Sequence, residues 1–258
     1  MFKKIRSFIG NFFTEHNQMK FVRFISSFYW FFRKYFLGVD RGFDKDFEKI
    51  WSQIRHDSSI DKERSFNLFQ LIRLHNKKFQ NGSSNYLEFG VSRGSSLKMI
   101  CNFFNNNSKI FGLDQFGEMS DSIEITEFDP HYGENTHFTK SSRFEKFNYL
   151  DLEKDLKLIN PSNDVKLIRA VFPNLTSDQI NLIDGIKFSF VYFDFDLYKP
   201  TLDAINFMKN RIQKGCIFLF DDYEFINQSG VRKAVQESWI NLDNSITTSS
   251  GTLIVFNE

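Results

Sequence analysis

The chain is poor in the features that would assign it quickly. Its 258 residues contain two cysteines, Cys101 and Cys216, far apart and in apolar surroundings. That excludes a disulfide framework and points to buried thiols. Charge of one sign is missing too. Thirty-three basic residues face 32 acidic ones, a formal net charge of +1, so the strong basic footprint of a nucleic-acid binder is absent and no nucleic-acid partner is expected. The five histidines show no metal-type spacing, and His131 and His137 stand in a polar stretch. Phenylalanine is abundant, at 34 residues, alongside much Asn, Lys and Ile. That profile fits biased codon usage and assigns no function.

Long apolar runs are lacking as well. Residues 1–37 are aromatic and basic, with Lys3, Lys4, Arg6, Lys20, Arg23, Arg33 and Lys34 against Glu15, and the longest uncharged stretch there is the 9 residues between Arg23 and Arg33. A membrane span needs roughly 20 apolar residues, and a signal peptide needs a small-residue cleavage site that does not follow. Two readings stay open. One is a basic amphipathic helix on an anionic membrane surface. The other is a helical extension packed on the domain or on a second copy of the chain. The expected location is the cytoplasm, with peripheral membrane contact through residues 1–37 as the open alternative. A homo-oligomer is compatible with either reading.

The length suits one α/β domain with an appendage. We divide the chain into a helical extension, 1–43, and a domain, 44–258. Within the domain, residues 44–80 read as helical, and Gly82-Ser83-Ser84 breaks the chain. Strands are expected at 85–90, 109–113, 164–171, 188–193, 216–220 and 252–257, and helices at 95–104, 200–212 and 231–242. Pro200 sits in the first turn of its helix, where proline is tolerated. The run Phe188–Phe193 is almost wholly apolar, as a strand buried on both faces should be. The alternation argues for a mostly parallel sheet with helices on both faces. The stretch 119–150 is polar and poorly periodic and is expected to form a lid or insert. There is no internal repeat.

In such a sheet, ligands bind beyond the carboxyl ends of the strands. The first strand runs into Glu88-Phe89-Gly90-Val91-Ser92-Arg93-Gly94-Ser95-Ser96. Gly90 and Gly94 permit a tight turn and close backbone approach, and the helix that follows aims its amides at the same place. Dinucleotides, phosphates and S-adenosylmethionine (SAM) all use such turns. Ser95-Ser96 stand where a P-loop would have lysine. The carboxylate of Glu88, read as part of the turn, disfavours a pyrophosphate and suits a ligand bearing an ammonium and a sulfonium. Asp114 ends the second strand, where an acid can accept hydrogen bonds from ribose hydroxyls. Its plain alternative is a turn residue.

A second cluster is acidic. One strand ends in Asp194-Phe195-Asp196 and the next in Asp221-Asp222. If these strands are neighbours, the carboxylates converge, with Asp194 and Asp196 on one face while the chain stays extended. Crowded carboxylates take up protons or hold a cation. An all-oxygen set favours a hard ion, Mg²⁺ first. The plain alternative is helix capping by Asp196 and Asp222.

Four segments in order, YLEFGVSRGSS (86–96), FGLDQFGE (111–118), FVYFDFDLYKPTLDAI (190–205) and GCIFLFDDYEF (215–225), together resemble the macrocin O-methyltransferase family of class I SAM-dependent methyltransferases. The later Gly230-Val231-Arg232-Lys233-Ala234-Val235 also fits. The resemblance spans about residues 60–257. It implies a Rossmann-like fold with a seven-stranded sheet, and methyl transfer from SAM to a hydroxyl of a small molecule, often a sugar, with Mg²⁺. Glu88, Gly90, Gly94, Ser95 and Ser96 would then lie at the methionine end of SAM, and Asp114 at the ribose. Asp194, Asp221 and Asp222 would hold the metal, and Asp196 would be the general base. Tyr192-Phe193-Asp194-Phe195-Asp196 replaces the family's more usual His-Ile-Asp-Val-Asp, so any role of that histidine is lost. An NAD-binding oxidoreductase would share the turn and Asp114 but leaves the acidic strand ends unexplained. A catechol-type O-methyltransferase and a non-catalytic SAM-binding protein remain as alternatives.

Overall fold

A computed structural model describes residues 44–56, 58, 60–80, 84–117, 123–129, 147–224 and 229–257. The extension 1–43, His131, His137 and most of the expected lid lie outside the described residues.

The elements run α1 (Lys45–Ile54), α2 (Lys62–Lys78), β1 (Asn85–Phe89), α3 (Ser95–Phe103), β2 (Lys109–Asp114), α4 (Tyr149–Ile159), β3 (Asp164–Arg169), α5 (Ser177–Ile183), β4 (Phe188–Phe193), α6 (Tyr198–Met208), β5 (Ile212–Phe220), α7 (Ser229–Glu237), β6 (Ser245–Thr247) and β7 (Leu253–Phe256). They build one seven-stranded sheet in the order β3-β2-β1-β4-β5-β7-β6. Strands β1 to β5 are parallel. β7 returns antiparallel beside β5, and β6 pairs antiparallel with β7. This is the mostly parallel Rossmann-like sheet expected from the alternation. Among the described residues no helix is long and apolar enough to cross a membrane.

Several boundaries differ from the expectation. The helical stretch 44–80 is two helices. Asp61 ends the gap by capping α2: its side chain accepts from the Arg64 amide at 2.9 Å, and an Asp at this position satisfies an otherwise unpaired donor. Phe47 of α1 packs on Phe66 and Phe69 of α2, with ring centroids 5.0 and 5.6 Å apart. The aperiodic stretch after Asp114 ends in a helix, α4, capped by Asn148. Only Leu152 and Leu156 of α4 are buried, so it shows a faint periodic signal. The short α5 carries a capping box between Thr176 and Gln179.

The core explains the phenylalanine content in part. All six residues of β4 are buried. Phe193 stacks on Phe89 of β1 at 5.4 Å and on Phe220 of β5 at 4.5 Å. These three residues are direct register partners. An aromatic row thus crosses three adjacent strands at their carboxyl ends, and such ring pairs add to the burial of their large apolar area. The residues that follow the row are Gly90, Asp194 and Asp221.

Candidate active site

Strand order places the site. After β1 the chain moves to β2 and β3 on one side, then crosses back to β4 and β5 on the other. The reversal falls between β1 and β4, and the crevice at such a reversal is where open α/β sheets bind ligands. Gly90 and Asp194 meet there. The Asp194 amide donates to the Phe89 carbonyl at 2.8 Å, and the Gly90 amide donates to the Leu113 carbonyl at 2.9 Å. A Cβ on Gly90 would stand 1.9 Å from the Asp194 carbonyl oxygen.

Backbone strain gathers at the same edge. Ser92, Phe116, Asp196 and Asp222 all have positive φ, between 51° and 61°. Non-glycine residues pay for that conformation and adopt it where the surroundings dictate it. Each of the four follows a strand's carboxyl end.

The glycine-rich turn is organised by Asp114. Its Oδ2 accepts from the amides of Val91 and Ser92 at 2.8 and 2.9 Å, and its Oδ1 accepts from Phe116 at 2.6 Å. Asp114 therefore organises the turn. The Gln115 amide adds a fourth backbone donor to the same carboxyl, so the turn engages most of its acceptor capacity. Burial pushes its carboxyl up, and the backbone donors pull it back. Gly94, in the left-handed region at φ 79°, opens α3 without a side-chain cap. The Gly94 amide closes the turn onto the Val91 carbonyl at 2.9 Å, and Ser95 and Ser96 are buried behind it.

Glu88 lies within β1 and not in the turn, which corrects the sequence reading. It is wholly buried. Tyr86 donates its hydroxyl to Oε2 at 2.7 Å, and Ser96 donates to Oε1. A carboxyl can occupy a strand covered on both faces because these two hydroxyls satisfy it. Burial raises its pKa to about 8.

β4 and β5 are neighbours, so the acidic strand ends converge. Asp194, Asp221 and Asp222 each bring a carboxylate oxygen within 4.8 Å of the others. Burial and the neighbouring carboxylates, Asp221 first, push Asp194 well above its ordinary value. Burial and Asp222 push Asp221 up to about 7, against the pull of Arg64. Asp221 Oδ1 is buried and has no hydrogen-bond partner among the described residues. An unpaired buried carboxylate oxygen is costly. Three hard oxygen donors with one left unsatisfied fit a divalent cation.

The same-face argument for Asp194 and Asp196 does not hold. β4 stops at Phe193, and the chain turns at once. Asp196 has φ 61°, and the Leu197 amide bonds back to the Phe195 carbonyl at 2.7 Å. A turn, and not an extended strand, brings the two acids to one place. Neither Asp196 nor Asp222 holds the cap position of a described helix. The cap residue of α6 is Leu197, and α7 begins at Ser229.

Two residues at the site were missed in the sequence. Arg64 of α2 donates to Asp221 and to Asp222, both at 2.9 Å. It is one of 33 basic residues and lies 157 positions from its first partner, so nothing local singles it out. Asp129 is buried. It accepts from the Tyr198 amide at 2.8 Å and so supplies the cap that Leu197 lacks. An aspartate three residues after a threonine, as in Thr126-Glu127-Phe128-Asp129, was the available hint. The two concavities that share Gly185, Ile186 and Lys187 lie at the amino ends of the strands, away from all of these groups.

No protein-family model matches the sequence, and no curated protein matches it. Solved structures do resemble the fold. The O-methyltransferase NovP superposes with a TM-score of 0.61 at 16% identity, over 78% of this chain and 82% of NovP. The calicheamicin methyltransferase CalS11 gives a TM-score of 0.58 at 16% identity, over 84% of this chain and 94% of its own. A ligand-free structure of CalS11, described as a TDP-rhamnose 3'-O-methyltransferase, gives 0.52 at 14% identity, over 84% and 96%. Strand order, the turn after β1 and these superpositions agree that the chain has the Rossmann-like fold of class I methyltransferases.

Proposed function

We propose that the chain is a metal-assisted O-methyltransferase that moves the methyl group of SAM to a hydroxyl of a small molecule, a sugar or glycan. The observation that carries this reading is the meeting of Asp194, Asp221 and Asp222 beside the Gly90–Gly94 turn, at the sheet's reversal point. The four segments resembling macrocin O-methyltransferases support it. So does the fold it shares with CalS11, a methyltransferase of a sugar nucleotide by its description.

Methyl transfer breaks a carbon–sulfur bond and forms a carbon–oxygen bond in line with it. The sulfonium is a good leaving group, so the protein must align the acceptor and take its proton. Gly90 and Gly94 let the turn close against the Asp194 carbonyl and Leu152, so that its backbone can approach the donor. Asp114 fixes the turn and ends β2, the position from which an acid would meet a ribose hydroxyl. Asp194, Asp221 and Asp222 would hold a divalent cation, Mg²⁺ by hardness, which supplies Lewis-acid stabilisation of a developing alkoxide. Asp196, beside the cluster, is the group for the acceptor's proton. Alignment and electrostatics carry most of the acceleration. A vicinal diol is the acceptor such a site would hold best.

The test is methyl transfer from labelled SAM to a panel of sugars, sugar nucleotides and glycolipids, with Mg²⁺ and with EDTA. Asp196→Asn is expected to keep SAM binding and lose at least about 100-fold in turnover, the usual worth of a general base. Turnover unaffected both by EDTA and by Asp194→Asn would remove the metal from the reading.

A further inference from the structure

Arg64 reaches the acidic cluster from outside the sheet. It belongs to α2, whose face is tied to the loop before β7. The Arg64 Nε donates to the Ser250 carbonyl at 3.3 Å, Asn67 Nδ2 donates to Ser250 Oγ at 3.1 Å, and Ser249 Oγ donates to Glu63 at 2.5 Å. The guanidinium fork then spans two carboxylates, with Nη1 on Asp221 Oδ2 and Nη2 on Asp222 Oδ1. All three side chains are nearly buried, at 12% exposure for Arg64, 3% for Asp221 and 10% for Asp222.

These are two of the three carboxylates able to hold a cation. Arg64 neutralises one unit of their charge and leaves the rest. Asp221 offers one oxygen to Arg64, while its other oxygen, buried, has no hydrogen-bond partner among the described residues. The fixed cation and a bound ion would therefore share the same carboxylates from different sides. A guanidinium cannot lose its charge as a lysine can, so it remains as a standing repulsion to any arriving ion. At an effective dielectric near 20, one unit charge several ångströms away alters binding by tenfold or more.

We propose that Arg64 is the built-in counter-ion of the Asp221–Asp222 pair and sets the divalent-ion affinity of the site, keeping the ion weakly held and exchangeable. It rests on the metal reading above. Without an ion, Arg64 keeps two adjacent buried carboxylates tolerable. With one, its charge opposes tight retention. An ion that exchanges easily would let the acceptor enter and leave as its complex.

The test is equilibrium Mn²⁺ binding to the full chain, followed by the electron paramagnetic resonance of free Mn²⁺, with no turnover involved. Arg64→Met is expected to bind Mn²⁺ at least about tenfold more tightly than wild type. Its ion-free form is expected to melt lower, and to gain more from added Mn²⁺. Arg64→Lys keeps the charge but cannot span both carboxylates. It covers the case in which Arg64→Met does not fold, and is expected to bind about two- to threefold tighter than wild type. Affinity unchanged or weakened in the variants overturns the role of Arg64 while leaving the metal reading intact. If wild type and variants alike fail to bind millimolar Mn²⁺, both fall together.

Discussion

Single residues decide whether the site can exist. Gly90 is the clearest case, with φ 87° and no space for a Cβ against the Asp194 carbonyl. Gly90→Ala combines left-handed strain with a clash against backbone. We expect it to cost at least about 2–3 kcal/mol, measured by urea unfolding, and to abolish SAM binding where the protein still folds. Wild-type SAM affinity in Gly90→Ala would show that the turn tolerates displacement. Gly90, Gly94 and the acids were all legible in the sequence, because strand ends in an alternating pattern are where such residues matter. The environment of each acid was not legible. Glu88 and Asp114 were both read as facing a ligand. Partners that the sequence does not pair, Tyr86 with Ser96 for Glu88 and the turn amides for Asp114, already engage them.

At the scale of elements, strands were read more reliably than helices. Runs such as Phe188–Phe193 are buried on both faces and announce themselves by composition. Helices α4 and α5 bury only two and one of their residues, so their periodicity is faint. The turn between β4 and α6 was misjudged because its shape depends on a distant residue. Asp129 accepts from the Thr126 amide and hydroxyl at 2.9 and 2.7 Å and from the Tyr198 amide. Phe128 lies against Tyr198, with centroids 4.9 Å apart. A Cβ on Gly230 would press on Asp129 Oδ1 at 2.1 Å, so α7 also needs its glycine at this junction. Asp129 thus holds the start of α6 two residues beyond Asp196. Asp129→Ala is expected to cost about 1–3 kcal/mol through the acceptors it removes. Hydrogen exchange should lose protection at the Tyr198 amide while the amides of β4 keep theirs. Asp129→Asn keeps one acceptor oxygen but turns its NH2 toward the Thr126 or the Tyr198 amide, and should recover only part of the loss. Protection at Tyr198 that survived Asp129→Ala would mean that α6 holds its own end.

At the scale of the whole molecule, the carboxyl edge of the sheet carries more buried acid than one arginine can offset, and this makes stability depend on pH with a definite sign. Burial pushes the Glu88 carboxyl up from an ordinary 4.5 to about 8 in the folded state. Asp194 and Asp221 are displaced in the same direction. Between those limits the folded state binds more protons than the unfolded one, so stability falls as pH rises. His75 acts oppositely. Burial lowers it from 6.5 to about 4, so the unfolded state binds the extra proton and stability falls as pH drops through that interval. Above pH 6.5 the histidine contributes nothing further, and the acids dominate. From pH 6.5 to 8 the unfolding free energy should drop by about 2 kcal/mol for Glu88 alone, at 1.36 kcal/mol per unit of displacement. Glu88→Gln should remove that share and leave the share of Asp194 and Asp221. Mg²⁺, if it binds those carboxylates, should flatten what remains, because a cation replaces the protons they would otherwise need. Urea titrations of both proteins across this range, with and without Mg²⁺, separate the two contributions. Stability that rose from pH 6.5 to 8 would show that these acids are ionised in the folded protein, with their charge met by something other than Arg64.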